Sequence, residues 1–210
     1  MRIMTKYCKC FAIAIGLLFG SQPAVAVGQD AVLQHRGFSL NISQIGSPPN
    51  RAELLESLKN QIDLVLGVKL DQERIAFFRT VPIIVVPLDP TRPSFPTSYY
   101  SQQDSTIIVR PRLFNPANAI LLHEFLHAYH HQRLPSGMAN PELRDLYAQA
   151  KARQIYPANA DVMENEQEYF ALSGSVFLHG RAARDPFTRE NVKAKHPELY
   201  DWLEREFGPR

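Results

Sequence analysis

The stretch "AILLHEFLHAYHHQRLP", residues 119–135, decides how this chain is to be understood. Its apolar residues return at helical spacing, yet four histidines and a glutamate stand inside the run. His123 and His127 are one turn apart, so both imidazoles fall on one face of a helix and can close on one ion. Glu124 is rotated by about 100° from His123 but only about 60° from His127, so it flanks the same opening without having to be a ligand. Leu122, Phe125, Leu126 and Tyr129 occupy a separate arc of about 100°, which predicts a core face distinct from a histidine face. A chance H-E-x-x-H in a chain of this composition has a probability on the order of 1%.

Two histidines leave a metal site short of a ligand. One class of H-E-x-x-H site continues to H-E-x-x-H-x-x-G-x-x-H, but here His130 takes the glycine position and Arg133 that of the last histidine. The other class draws a glutamate from a later helix. "ENEQEYFALSGSVFL", residues 164–178, offers Glu164, Glu166 and Glu168. Glu168 is the expected ligand, because it precedes Tyr169 and projects from a helix whose Phe170, Ala171, Gly174, Phe177 and Leu178 can pack on the core. His130 is expected to be core or solvated and His131 to lie on the surface, while His35, His179 and His196 stand alone and are read as ordinary.

The chain around these motifs has 210 residues, 45% hydrophobic and 21% charged, which suits one folded domain with a sizeable core. Arg2, Lys6 and Lys9 precede the apolar run "FAIAIGLLFG", and "SQPAVAVG" follows it, the layout of a secretory signal peptide cleaved after Ala26. An apolar run of about 10 residues is too short for a bilayer that needs about 20. The expected organisation is therefore a signal peptide over 1–26 and a single domain over 27–210, exported to the periplasm or the medium without a stable membrane anchor. Residues 1–26 hold three of the 23 Lys and Arg and none of the 21 Asp and Glu, so the remainder carries a net charge of −1. That charge offers no argument for nucleic acid as a partner. Cys8 and Cys10 both lie in the leader, so any metal must be held by histidines and carboxylates.

"GFSLNIS" alternates apolar and polar residues, and "VPIIVVP" and "STIIVRP" are β-branched runs bounded by polar or proline residues; all three predict strands. "RAELLESLKNQIDLVLG" places Leu54, Leu55, Leu58, Ile62 and Leu66 at helical spacing and ends at Gly67. Prolines at 87, 90, 93 and 96 predict a surface loop over 87–104. The H-E-x-x-H helix is expected to start at Asn115 and Pro116 and to run to about Leu134. "NPELRDLYAQAKARQIY", "ENEQEYFALSGSVFLHG" and "HPELYDWLEREFG" predict three more helices. Strands come early and helices late, so the expected class is α+β: a small N-terminal mixed sheet with an active-site helix, then a mainly helical C-terminal half.

His123-Glu124-x-x-His127 followed by "NEQEYFA" resembles the catalytic domain of anthrax lethal factor and its relatives, the Pro-Pro endopeptidases, over roughly residues 95–205. The first motif is shared by many zinc peptidases and the second is more specific to this group. The resemblance implies a zincin-like fold, one Zn²⁺ held by His123, His127 and Glu168, and Glu124 as general base. The chain departs from that pattern twice. Leu172 stands where the family usually has a second glutamate that orients a ligand imidazole, and Asp161 where it has a tyrosine that assists the oxyanion. Glu164 is the candidate replacement for the first; Tyr156, Tyr99 and Tyr100 are candidates for the second.

The expected function is that of an exported zinc metallopeptidase acting on protein or peptide substrates, with Glu124 taking a proton from zinc-bound water. "STIIVRP" is expected to be the edge strand along which an extended peptide pairs. Two other readings stay open: an inactive exported binding module that keeps the fold, and a zinc hydrolase of cell-wall amide bonds.

Overall fold

The alternation in "GFSLNIS" becomes strand β2 (Phe38–Asn41), which turns Phe38 and Leu40 inward and Ser39 and Asn41 outward. A preceding strand that the sequence did not announce, β1 (Val32–His35), pairs antiparallel with it. The turn between them is Arg36-Gly37, both at positive φ (48° and 85°), as a two-residue hairpin loop requires. Strands β3 (Ile83–Val85), β4 (Ser98–Ser101) and β5 (Thr106–Val109) complete a five-stranded mixed sheet of order β1-β2-β3-β5-β4. β3 lies parallel to β2 and β5, and β4 is antiparallel to β5. This computed structural model describes residues 31–88, 91 and 96–210. The leader, Cys8 and Cys10, and Pro90 and Pro93 of the proline-rich stretch lie outside the described residues.

Two expectations about the sheet are corrected. β5 is an inner strand, bonded to β3 on one side and β4 on the other, so "STIIVRP" is not the edge. The edge on that side of the sheet is β4, drawn from the segment expected to be loop up to residue 104. The prolines stop at Pro96, and the following Ser-Tyr-Tyr-Ser is free to donate every N–H to a ladder. A short turn with Ser105 at φ 51° then returns the chain antiparallel.

Helix α1 (Arg51–Gly67) buries Leu54, Leu58, Ile62 and Val65. Helix α2 (Gln72–Thr80) was not anticipated, because only nine residues of mixed polarity form it. The Asp71 side chain caps it by accepting from Arg74 N, and Phe77 and Phe78 are buried. The histidine helix, α3, spans Ile120–Gln132 and so starts later than Pro116. Asn115 closes a turn instead, its Oδ1 accepting from Ala117 N at 2.9 Å. With no side-chain cap of its own, α3 is tied at its start by Gln61 of α1, which donates to Asn118 O at 3.1 Å.

Helices α4 (Pro141–Ala152), α5 (Glu166–His179), α6 (Arg189–Lys195) and α7 (Pro197–Phe207) follow, with α6 unforeseen. Asn140 and Asn165 are side-chain N-caps, and Gly180, at φ 94°, ends α5 in the left-handed region. The architecture is α+β, with the sheet in the N-terminal part and helices dominating the rest. α3 is enclosed between the sheet side and α5. Phe78 stacks on Phe125 at 4.7 Å from one side. From the other, Gly174 lets α5 approach so closely that a Cβ there would stand 3.2 Å from Leu126 Cδ1. α3 is consequently buried from Leu121 to His130, the histidine face included. Among the described residues no helix is long and apolar enough to cross a membrane.

Candidate active site

His123 and His127 leave α3 one turn apart, and their Nε2 atoms lie 3.0 Å from each other. Asn165 starts α5 by accepting from Gln167 N and Glu168 N, which fixes Glu168 at the third helical position, over the two imidazoles. One carboxylate oxygen of Glu168 is 3.3 Å from His123 Nε2, and the other is 3.2 Å from His127 Nε2. Two imidazole nitrogens of α3 and the carboxylate of α5 thus face one another, with the histidines buried and the glutamate partly so.

The donor set fits a divalent ion. Bonds of about 2.0–2.1 Å in tetrahedral geometry place ligand atoms about 3.3 Å apart. The contacts of 3.0, 3.2 and 3.3 Å are close to that spacing, the two histidine–glutamate contacts being made by different oxygens of the Glu168 carboxylate. His123, Glu124 and His127 are also a buried group whose ligand atoms all lie within 4.8 Å of one another, enough to hold a metal. Burial alone would raise the Glu168 carboxyl, but hydrogen bonds from His123 and His127 and their charge outweigh it and hold the group well below the usual carboxylate range. Burial likewise opposes a charged His127, yet the Glu168 hydrogen bond and the charges of Glu124 and Glu168 raise it overall.

Glu124 is held differently. Its Oε1 accepts a hydrogen bond from Ser98 Oγ at 2.7 Å, so strand β4 clamps this carboxylate from above. Ser98 was invisible to motif reasoning. The signal that would have found it is the pair Tyr99-Tyr100 before a polar turn and "TIIV", a hairpin pattern obscured by the prolines just upstream.

These groups line a cleft of about 740 Å³. One wall is the start of β4, from Pro96 to Tyr100. The floor is α3, and the opposite wall is the beginning of α5 with Ala183 and Arg184. Tyr100 Oη meets His131 Nδ1 at 2.9 Å, so His131 is in contact with the edge strand. Asp161 takes an ion pair from Arg184 at 2.5 Å on the cleft wall.

The remaining candidates fall elsewhere. Glu164 borders the cleft but is exposed, lies ahead of the α5 cap, and makes no hydrogen bond to either imidazole. It does not replace the carboxylate expected at Leu172, and His123 Nδ1 is buried without a partner. Tyr156 is buried, only 3% exposed, and lines a second cavity with Lys151, Ile155 and Met163, away from the histidines. Tyr99 and Tyr100 do reach the cleft. His130 belongs to the core, its ring against Phe170 at 5.1 Å and both nitrogens without partners. His196, read as ordinary, is fully buried with Nδ1 against Tyr169 Oη at 2.5 Å.

No family model matches the chain, and no curated protein matches it in sequence. Among solved structures it is similar to a Pro-Pro endopeptidase from Paenibacillus alvei, with 16% sequence identity and a TM-score of 0.48, over 85% of this chain and 98% of that one.

Proposed function

We propose that the chain is a zinc-dependent metallopeptidase in which His123, His127 and Glu168 hold the ion and Glu124 is the general base. The observation that supports this most directly is the division of labour between two carboxylates. Glu168 stands 3.2–3.3 Å from both Nε2 atoms, at ligand spacing, whereas Glu124 is held by Ser98 beside them. Zinc bound there supplies a polarised water and a Lewis acid for the carbonyl oxygen.

The protein's own residues do the rest. Glu124 keeps Oε1 on the Ser98 hydroxyl, leaving Oε2 to take the proton and later to return it to the departing amine nitrogen. β4 is the sheet edge and lines the cleft, so its outer N–H and C=O groups are available to an extended peptide. That edge favours a peptide over other amides as substrate. Tyr100, on the same strand, is the residue of this site nearest in kind to the expected oxyanion donor, although its hydroxyl also meets His131 and Gln132.

A second reading has its own support: Asp161 is engaged by Arg184 and His123 Nδ1 lacks an acceptor, as in a fold that keeps the metal and the groove without turnover. Chelation and reconstitution separate the two. The peptidase loses cleavage of a diverse peptide library on chelation and regains it with one equivalent of zinc. One equivalent bound without cleavage of any library member supports the binding module instead.

A further inference from the structure

Besides Glu124 and Glu168, the cleft is lined by two further carboxylates, Asp161 and Glu164, and by two arginines. Near the start of α3 it is lined by Arg112, Asn118, Ile120 and Arg184. At the other end, Tyr100 meets His131 and Gln102 donates to Gln167 Oε1 at 2.8 Å, and the only Lys or Arg among the lining residues are the two arginines. Two contacts locate the arginine end. Arg112 Nη1 donates to Thr97 Oγ1 at 3.0 Å, and Asn118 Oδ1 accepts from Ala183 N at 2.9 Å, next to Arg184.

Both guanidinium groups are anchored but not consumed. Arg184 spends Nη1 on Asp161, one of five donors in its fork. Among the described residues no carboxylate pairs with Arg112, which is exposed. The start of α3, the positive end of its dipole, faces the same region through Asn118 and Ile120. The direction of a bound chain follows from the edge strand. β4 runs from Ser98 over Glu124 toward Ser101, so a peptide pairing antiparallel, the slightly more stable arrangement, lays its C-terminal residues toward Thr97 and the arginines. Thr97 precedes Ser98 by one residue, roughly 3.3 Å of extended chain.

We propose that the cleft selects peptides carrying a carboxylate one to three residues beyond the scissile bond on its C-terminal side, bound between Arg112 and Arg184. The carboxylate is either the free end of the chain or an Asp or Glu side chain, since both present the planar pair of oxygens that an arginine fork binds. The proposal rests on the peptidase reading for the meaning of the scissile bond, but not for the binding preference.

The test uses matched peptides: free acid against amide, ending one, two or three residues past the cleaved bond, and longer peptides with Glu against Gln at those positions. Each pair is measured twice, as kcat/KM with the zinc-loaded protein and as binding of the fluorescently labelled peptide to zinc-loaded Glu124→Gln. The charged member is expected to win at least tenfold at one position. Arg112→Gln and Arg184→Gln should each cut that ratio threefold or more, and salt should compress it. A preference for acid over amide assigns the free terminus; one for Glu over Gln assigns the side chain. Equal treatment of charged and neutral members, or a ratio that neither arginine variant moves, overturns the proposal. Arg-dependent binding without any cleavage overturns the peptidase reading and leaves the carboxylate site standing; cleavage without preference does the reverse.

Discussion

At the scale of single residues, the same helix holds histidines of opposite character. His127 is drawn toward its charged form by carboxylates, whereas burial, then the charges of His127 and His131, push His130 down to about 4 from its usual 6.5. The fold therefore keeps His130 neutral, while the unfolded chain takes up a proton as pH falls from 6.5 toward 4. Stability must decline across that window, by on the order of 3 kcal/mol in the limit. His130→Leu, which also removes two unpartnered buried nitrogens, should lose less in Tm than the wild type between pH 7 and 4.5. Parallel declines would show that His130 is not the acid-labile group. Ser98→Ala tests the clamp on Glu124: kcat should fall about 3- to 10-fold, the scale of about 1 kcal/mol for one hydrogen bond, with zinc content unchanged. An unaltered kcat would mean that the carboxylate needs no such support.

At the scale of elements, the site depends on how α5 begins. Asn165 accepts two backbone N–H bonds and so fixes the turn that carries Glu168. Asn165→Ala should reduce stability by about 1 kcal/mol and weaken zinc affinity as well, a pairing that denaturant titration with and without metal can resolve. Stability lost with affinity intact would detach the cap from the site. This coupling was half legible in the sequence. His123, Glu124 and His127 stood out because helical spacing is a local property, and Glu168 because it precedes the apolar Tyr169 in a segment that resembles a known motif. The edge strand was misassigned because pairing is non-local: Tyr99 and Tyr100 become strand through Ile107 and Ile108 across the turn, while four prolines upstream suggest loop. The burial of His196 was equally hidden, and that of His130 could not be told from a solvated position, since both depend on α5 and on packing against Tyr169 and Phe170, distant in the chain.

At the scale of the molecule, the proposed ion joins the helix packed against the sheet to the helical half, because two ligands come from α3 and one from α5. Metal bound only by the folded chain stabilises it by mass action, about 2.7 kcal/mol when zinc stands at 100 times its Kd. A melting temperature several degrees higher with zinc than with chelator is expected, and no difference would place the ion elsewhere than across this joint. Disagreement between the expected and actual residues at 161 and 172 makes turnover, rather than metal binding, the central claim. The most direct measurement is cleavage of a peptide library by the zinc-loaded protein beside its Glu124→Gln form at equal zinc occupancy. Cleavage by the first, falling at least about 1000-fold in the second with one zinc retained by each, is the predicted result. Comparable cleavage by both forms, or cleavage by neither, would contradict the account.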